Sequence, residues 1–369
     1  MARKLQSDKW LFLATLALIC ASVVMVYSAS AVLALERFQQ PYLFVTKQIM
    51  WAFVGLAVLS IVMRVDYRTY RNDRFVWALL GLVAVLLVGV LFSRPINGTK
   101  RWFGIGGFGV QPSELAKLAA ILFTALVLER RRHRINELGY SLLPIALIVG
   151  GLTGLIMLEP DFGTAVSLIA VTAVMVFAAG FSYRYMLGGL LLTLPALYVV
   201  MMQADYRRRR LATFLDPWSD PLGDGFQIIQ SLIAVGTGGV FGKGLMNGVQ
   251  KLFYLPEPHT DFIFAVIAEE MGLIGATVIV ICFGVIAWRG MRTAMRAPDG
   301  FGAFLALGIT MMVVLQAFVN ISVVLGLLPT KGIALPLVSN GGSSLLINLL
   351  GVGVLLNISQ HGETETGAA

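Results

Sequence analysis

Long, unbroken runs of apolar residues dominate the chain and are separated by short polar stretches. A membrane-spanning helix needs roughly 20 apolar residues, whereas a strand of a membrane barrel shows about 10 residues of alternating polarity. The runs here are continuous, and they predict ten spanning helices, at residues 10–35, 43–63, 75–93, 111–128, 140–158, 162–180, 186–203, 262–288, 301–327 and 334–357. We therefore expect an all-α, polytopic membrane protein, with a single membrane domain over residues 1–369.

The composition agrees with this fold class. Of 369 residues, 57% are hydrophobic and 13% are charged, whereas an ordinary soluble protein is about 25% charged. These values exclude a soluble enzyme and a disordered chain, and the continuous runs exclude an outer-membrane barrel. Cys20 and Cys282 both lie inside apolar runs, so they provide neither a disulfide framework nor metal-ligand spacing.

The basic residues predict the orientation in the membrane. With the N-terminus inside, the inner side holds 15 of the 28 basic residues, whereas the short outer loops hold 6. Lys117 lies within a span, and the remaining 6 lie in one long loop. Because basic residues favour the cytoplasmic side, both termini are predicted to be cytoplasmic, with residues 359–369 as a short tail. The scattered net charge of +8 is explained by topology and does not indicate nucleic-acid binding.

The N-terminal segment imitates a signal peptide. It has a basic start, an apolar run and small residues at 28–31. The run from Trp10 to Leu35 is rather long for a cleaved segment, so we expect it to remain as the first span.

One large break, residues 204–261, separates the seventh and eighth predicted spans and is expected to be extracytoplasmic. It is too long for a simple connector, and loops of this size are often functional. Its apolar middle, Phe226 to Val235, predicts a helix lying on the membrane surface. The six glycines between residues 236 and 248 predict tight turns.

Two glycine-rich stretches imitate nucleotide-binding motifs. Residues 104–109 read G-I-G-G-F-G but follow a loop, without the strand of a βαβ unit. The sequence around Gly242-Lys243-Gly244 lacks the first glycine and the terminal Ser/Thr of a phosphate loop. Neither stretch indicates a nucleotide site.

Four outward-facing segments, distant in sequence, carry the informative charges: residues 97–117, 159–161, 205–261 and 329–344. In the first, Lys100 and Arg101 precede Trp102. They are either an interfacial anchor or the ligands of an anionic headgroup, with Arg as a bidentate clamp on phosphate. Glu114 and Lys117 are three residues apart, so they share a helix face and can form an ion pair.

The other segments add carboxylates and a further cation. Asp161 belongs either to a simple hairpin turn or to a site. Asp261 lies at the mouth of the eighth span, where water, headgroups and the long loop meet. Glu269 and Glu270 follow about two turns deeper and point about 100° apart, so they should need different partners, with Lys117 as one candidate and a protonated carboxyl as the alternative. A Gly/Ser run that includes Ser343 permits close helix packing or contact with a ligand.

If these segments converge, they form an outward polar site that combines phosphate-holding cations with carboxylates. The residues alone leave two classes open. One is an enzyme that acts on a lipid-linked phosphate, and the other is a transporter of an anionic substrate.

Several ordered motifs resemble the SEDS family (shape, elongation, division and sporulation), over about residues 10–358. The matching stretches are N-G-T-K-R-W (97–102), Q-P-S-E-L-A-K (111–117), E-P-D-F-G-T (159–164), F-L-D-P-W-S-D-P-L-G-D-G-F-Q-I-I-Q-S (214–231), P-E-P-H-T-D-F-I-F-A-V-I-A-E-E-M-G (256–272), G-L-L-P-T-K-G (326–332) and G-G-S-S-L (341–345). The Thr330-Lys331-Gly332 stretch is more similar to the cell-division type (FtsW) than to the rod-elongation type (RodA).

The resemblance implies a peptidoglycan glycosyltransferase of the bacterial inner membrane, acting at the division septum. Its substrate would be lipid II, an undecaprenyl-pyrophosphate-linked disaccharide-peptide. Its partners would be a class B penicillin-binding protein, which crosslinks the product, and other division proteins. The rival functions are a lipid II flippase and a non-catalytic division scaffold.

The family's functional residues carry over to Asp261 as the essential aspartate, a candidate general base, and to Arg101 and Lys331 as pyrophosphate-binding cations, which Lys100 could assist. Glu114, Lys117, Asp161, Glu270 and Ser343 would complete the polar site. No motif requires a cofactor, although a divalent cation (Mg or Mn) bridging pyrophosphate and a carboxylate is possible. The sequence departs from the family at Asn340, where an aromatic residue is usual, and at Phe253, where some division-type members carry Glu.

Overall fold

The computed structural model describes residues 7–95, 99–105, 108–202, 205–223, 225–330 and 332–362. This part of the chain contains twelve α-helices and one short antiparallel hairpin. The helices are α1 (Lys9–Phe38), α2 (Leu43–Val62), α3 (Asp73–Leu91), α4 (Pro112–Arg131), α5 (Leu143–Leu158), α6 (Phe162–Ala178), α7 (Tyr183–Met202), α8 (Asp205–Leu215), α9 (Phe226–Gly238), α10 (Ile263–Met295), α11 (Gly300–Val324) and α12 (Gly342–His361). The hairpin consists of β1 (Phe103–Ile105) and β2 (Phe108–Val110).

Every segment predicted to span the membrane contains a helix. In the described residues, seven helical segments are long and apolar enough to cross a membrane: α1, α2, α3, Leu138–Leu158, α10, α11 and α12. Helix α6 is apolar but shorter, with 17 residues. The predicted all-α, polytopic membrane architecture is therefore confirmed.

The predicted tenth span begins too early. The chain does not become helical at residue 334, because α12 starts only at Gly342. Leu337 adopts a φ of 63°, in the left-handed region that helices do not use, and Pro336 removes a backbone donor just before it. The ninth predicted span, 301–327, extends too far, because α11 already ends at Val324. Gly326 follows with a φ of 69°, in the left-handed region.

The long loop between α7 and α10 is largely ordered. The predicted apolar helix in its middle is confirmed as α9, whose Ser231 hydroxyl donates to the carbonyl of Val324 over 2.8 Å. The tight turns predicted after it are present as well, because Gly239, Gly242 and Gly244 have φ values of 55°, 80° and 94°. The loop thus packs against α10 and α11.

The hairpin was not predicted. It pairs Phe103 with Val110, Gly104 with Gly109 and Ile105 with Phe108. Strands of three residues are too short for an alternating pattern to identify them in a sequence. The hairpin lies at residues that formally matched a dinucleotide motif, and it leads directly into α4.

Helix α4 lies at the centre of the bundle. Every residue from Pro112 to Leu128 except Leu115 is buried. Helix α11 packs against both α4 and α10, and α12 packs against α2. A charged residue on α4 is therefore surrounded by protein rather than by lipid, which is where charges in spanning helices are tolerated.

Two glycines on α9 give a test of how closely the loop packs on α10. A Cβ at Gly238 would lie 1.9 Å from the carbonyl oxygen of Ala268, whereas a Cβ at Gly236 would meet nothing within 4 Å. Gly238→Ala should therefore destabilise the protein by about 1–3 kcal/mol through overpacking. Gly236→Ala should be neutral or stabilising by up to about 1 kcal/mol, because alanine favours helix. Thermal unfolding in detergent measures both, and equal melting temperatures for the two variants would contradict this packing.

Candidate functional site

The candidate site lies at the end of the bundle where four loop segments meet. These are the hairpin leading into α4, the turn between α5 and α6, the residues just before α10, and the segment 332–341 just before α12. These segments are distant in sequence, so they can form one site only if the fold brings them together. The structure brings them into contact through the hydrogen bonds that follow.

Asp261 is partly exposed and lies two residues before α10. The amide nitrogen of Asn320, on α11, donates to the backbone carbonyls of both Asp261 (2.8 Å) and Ile333 (2.7 Å). A Cβ on Gly332 would lie 3.1 Å from the Oδ2 of Asp261. Asn320 therefore joins the start of α10 to the segment before α12, and glycine at 332 leaves room for the carboxylate.

The residues before Asp261 are held by the same segment. The Ser339 hydroxyl donates to the carbonyl of Thr260 over 2.5 Å, and the backbone N–H of Asn340 donates to the carbonyl of His259 over 2.9 Å. Asn340 stands where the family usually has an aromatic residue. Its contact here is made by the backbone, so the substitution preserves it.

Although the Asp261 residue is partly exposed, the surrounding protein largely desolvates its carboxyl group, and this desolvation is the main reason that its pKa is raised to about 7. The negative charges of Glu257 and Asp161 add to the increase, and the positive charges of Arg101 and Arg210 oppose it. An ordinary Asp has a pKa of about 3.9. The burial expected at the membrane mouth therefore produces a carboxylate that can accept a proton near neutral pH. Arg210, in α8 of the long loop, is close enough for its charge to act on this group.

Arg101 is held by the turn between α5 and α6. Its Nε donates to the carbonyl of Glu159 over 3.0 Å, and its Nη2 donates to the carbonyl of Pro160. The guanidinium thus binds neutral carbonyl groups and keeps its positive charge. Lys100, the adjacent residue, is exposed. Lys331 lies outside the described residues, so its role stays a prediction.

Asp161 caps the start of α6. Its carboxylate accepts from the backbone N–H of Thr164 (3.2 Å) and from the Thr164 hydroxyl (2.9 Å). The Nε2 of Gln111 donates to the same carboxylate over 3.0 Å, and the Gln111 backbone N–H donates to the Ser343 hydroxyl over 3.3 Å. Gln111 therefore connects Asp161 to Ser343, and sequence reasoning did not single it out.

Glu159 is fully buried beside Asp161. Within the described part of the chain, neither of its carboxyl oxygens has a hydrogen-bond partner. Burial, reinforced by the negative charge of Asp161, raises its pKa to about 8, and Arg101 opposes the increase. Glu159 is therefore mostly protonated at neutral pH, which makes its burial less costly than that of an ionised carboxylate.

Glu114 and Lys117 form the predicted ion pair. Lys117 Nζ lies 3.0 Å from Glu114 Oε1 and 2.7 Å from the Oε1 of Gln316, on α11. The Nε2 of Gln316 donates to the carbonyl of Ala334 over 3.0 Å. This buried network joins α4 and α11 to the segment before α12.

Glu269 and Glu270 have different partners, as expected, but Lys117 is neither of them. Glu269 pairs with Lys243 at 2.8 Å, and Glu270 pairs with Lys251 at 2.6 Å. The hydroxyl of Ser28, on α1, donates to Glu270 over 2.7 Å. Glu270 thus belongs to a buried cluster with Lys251 and Ser28, two turns further along the chain than Asp261. None of these contacts connects Glu270 to Asp261.

Backbone contacts dock the long loop at the same level. Helix α10 loses helical geometry at Gly272, where φ is 64° and ψ is −163°. The carbonyls of Glu269 and Glu270 instead accept from the N–H groups of Lys243 and Gly244, each over 3.0 Å. The sequence did not predict this docking, because the partners are far apart along the chain. The available signal was that the loop carries two lysines and α10 carries two glutamates within its span, so each glutamate could pair with one lysine.

Within the described ranges, no three side chains of His, Cys, Asp or Glu are grouped closely enough to hold a metal ion. The divalent cation considered from the sequence therefore stays a prediction.

Comparison with known proteins gives consistent matches over nearly the whole chain. The model of the family described as "Cell cycle protein", which covers FtsW, RodA and SpoVE, matches residues 9–364. A probable peptidoglycan glycosyltransferase FtsW of Geobacter metallireducens is 46% identical over 354 residues, covering 95% of this chain and 94% of the relative. Stage V sporulation protein E of Bacillus subtilis is 44% identical over 362 residues, covering 97% and 98%.

Solved structures agree with the sequence relatives. A chain from a peptidoglycan synthase complex, solved to explain how polymerization and crosslinking are coordinated, superposes with a TM-score of 0.80 at 31% identity, covering 96% of this chain and 98% of that one. The rod shape determining protein RodA of Thermus thermophilus superposes with a TM-score of 0.72 at 28% identity, covering 98% and 99%.

The pair of Lys251 and Glu270 gives a test of the buried cluster. Lys251→Met would leave the buried Glu270 carboxyl group without its cation, which should cost about 3–5 kcal/mol. Lys251→Met combined with Glu270→Gln removes both charges and should recover much of that loss. Lys100→Met, at an exposed lysine, is the matched control and should be neutral. Thermal unfolding in detergent measures all three, and a double variant no more stable than the single one would contradict the pairing.

Proposed function

Because this chain belongs to the family of cell cycle proteins that includes FtsW, RodA and SpoVE, we propose that it is a peptidoglycan glycosyltransferase that polymerises lipid II during septal wall synthesis. The observation that carries the proposal is Asp261, a carboxylate with a pKa raised to about 7. It lies at one end of a membrane bundle, beside Arg101 and Arg210.

The reaction joins two sugars in one inverting displacement. The donor sugar leaves an α-linked pyrophosphate, and the 4-hydroxyl of the acceptor sugar forms the β-linked glycosidic bond. Asp261 takes the proton of that hydroxyl as the new bond forms. A base with a pKa near the working pH is well suited to this step, because it is partly ionised and still basic enough.

The leaving pyrophosphate needs positive charge. Arg101 carries five N–H donors and spends only part of them on the carbonyls of Glu159 and Pro160. Among the described residues, its other donors can meet the developing phosphate charge, and the sequence adds Lys100 and Lys331 as further cations. The protonated Glu159 adds no negative charge that would repel this group.

The chain is a multi-pass membrane protein. Its basic residues favour an orientation with both termini in the cytoplasm and the Asp261 site outside, where glycan strands are assembled. The structural relative in a peptidoglycan synthase complex supports a class B penicillin-binding protein as partner. The likeness to FtsW proteins supports a place at the septum among other division proteins.

The contacts argue against the flippase alternative. Transport of lipid II needs two access states and usually polar groups at membrane depth that can change partners. In the part of the chain that the structure describes, Glu114, Glu269 and Glu270 are each held by a lysine. The chemistry therefore belongs to the outer mouth rather than to a path through the bundle.

The first test replaces the proposed base. Asp261→Asn keeps the shape of the side chain and removes its basicity, so glycan synthesis from lipid II by the purified protein with its partner should fall about 10²–10⁴-fold. Asp216→Asn, at an exposed position in the long loop, is the matched control and should keep its activity. Near-normal synthesis by Asp261→Asn in an intact complex would refute the base assignment and support a scaffold. A vesicle assay that separates lipid translocation from glycan formation distinguishes the flippase.

The second test uses pH. Because the active form of Asp261 is deprotonated, kcat/KM should rise with pH through a midpoint near 7. Glu257 is a negative neighbour that raises the pKa of Asp261, so Glu257→Gln should move this midpoint to lower pH. An unchanged midpoint in the variant would show that another group controls the rate.

A further inference from the structure

Residues 240–254 of the long loop (segment 240–254) present an exposed apolar face. Between 38% and 82% of the surface is exposed in each of the following: Val240, Phe241, Leu245, Met246, Val249, Leu252, Phe253 and Tyr254. Exposed apolar surface that continues over so many neighbouring residues is typical of a face that contacts a membrane or another molecule. The described part of the chain leaves this face uncovered.

The few charges of the segment are neutralised within the protein. Its only charged residues are Lys243 and Lys251. Lys243 lies 2.8 Å from the carboxylate of Glu269, and Lys251 lies 2.6 Å from that of Glu270. Charged residues that enter a membrane are usually paired with one another in this way. The charges of the segment therefore do not prevent it from lying in hydrocarbon.

Three backbone N–H groups of the segment are satisfied by the same two carboxylates. Glu270 accepts from the N–H of Met246 over 3.0 Å. Glu269 accepts from the N–H of Val249 over 3.0 Å and from that of Gln250 over 3.1 Å. Because lipid offers no hydrogen-bond partner, irregular backbone at membrane depth needs partners from the protein. The segment has such partners although it is not helical.

Helix α10 gives the depth of this part of the structure. Trp288, with 63% of its surface exposed, precedes Arg289 near the C-terminal end of the helix, and exposed tryptophans of spanning helices lie at headgroup level. A hydrocarbon core of about 30 Å takes about 20 helical residues, which reach back from Trp288 to about Glu269. Leu273 and Ile274, 62% and 51% exposed, therefore lie just inside the other boundary of the hydrocarbon and face lipid.

Segment 240–254 is bonded to α10 at this depth. The N–H of Leu273 donates to the carbonyl of Gly239 over 2.9 Å, and the N–H of Ile274 donates to the carbonyl of Val240 over 3.3 Å. Its bonds to the two glutamates keep the segment near that level further along the chain. The exposed apolar side chains of the segment therefore begin next to the lipid-facing residues of α10.

We propose that segment 240–254 is immersed in the extracytoplasmic leaflet of the membrane, where its exposed apolar side chains contact the acyl chains of phospholipids. The segment would then anchor the first section of α10, and with it Asp261, at a fixed distance from the hydrocarbon. A protein partner could cover the same face, but the depth of Leu273 and Ile274 and the neutralised lysines favour lipid. This proposal goes beyond the glycosyltransferase function and does not rest on it.

The experiment is spin labelling of the full-length protein in vesicles of phosphatidylethanolamine and phosphatidylglycerol, without a partner protein. Cys20→Ala and Cys282→Ala remove the two native thiols, and Phe241→Cys or Phe253→Cys then provides a single labelling site. Molecular oxygen concentrates in hydrocarbon, whereas a neutral nickel chelate stays in water. The ratio of oxygen collisions to chelate collisions should therefore be several-fold higher for both labels than for a label in water.

Two matched control positions calibrate this ratio. Leu273→Cys places a label on the lipid-facing surface of α10 and should give the value for hydrocarbon. Leu222→Cys replaces an apolar residue that is 89% exposed in a stretch of the same loop that contains Asp216 and Asp220, and it should give the value for water. All four replaced side chains are largely exposed, and thermal unfolding in detergent shows whether each labelled variant is folded.

Labels at positions 241 and 253 that match the label at 273, with no partner present, would support the proposal. Labels that match the one at 222 would overturn it. If those labels then lose contact with the chelate only after a class B penicillin-binding protein is added, the face is a protein-docking surface. Protection from both oxygen and the chelate without a partner would also overturn the proposal, because it would show that a second copy of the chain covers the segment.

Discussion

The rest of the structure depends on one constraint: a charge buried in an apolar bundle must be paired. An unpaired charge in a spanning helix costs several kcal/mol, and the described residues answer this with three lysine–glutamate pairs. Two of these pairs join elements that are remote in sequence, and the lysine of the third, Lys117, also bonds Gln316 on α11. Lys117 links α4 to α11, whereas Lys243 and Lys251 attach the long loop to α10 and, through Ser28, to α1. Electrostatic necessity therefore fixes the tertiary arrangement as well as the local stability.

The same pairs fix the position of the site relative to the bundle. The first section of α10, from Ile263 to the break at Gly272, begins just after Asp261 and carries Glu269 and Glu270 near the break. Because the loop holds these glutamates by side chains and by backbone N–H groups, that section cannot easily slide or rotate in the bundle. Asn320 then fixes the carbonyl of Asp261 against the segment before α12. The long loop before α10 thus supports the helix that presents the proposed base.

Features that depend on local patterns in the sequence could be predicted, whereas contacts between residues far apart in the chain could not. The length of the apolar runs identified the helices, and the spacing of three residues identified the Glu114–Lys117 pair. The angle between adjacent helical positions showed that Glu269 and Glu270 need separate partners. Their lysines could not be assigned, because the loop between them and α10 has many possible paths. The late start of α12 depends on the left-handed Leu337, and the hairpin is too short to leave a periodic signal.

The chemistry of the site depends on charges that stay close without pairing. A direct salt bridge between Arg101 and Asp261 would stabilise the carboxylate and lower its pKa, which would make it a poor base. The structure avoids this because Arg101 is held by the carbonyls of Glu159 and Pro160, so its position does not require a carboxylate partner. Glu159 itself is mostly protonated and does not neutralise the guanidinium. In the proposed reaction, the cation can therefore meet the charge of the leaving pyrophosphate, while desolvation keeps Asp261 basic enough to accept a proton.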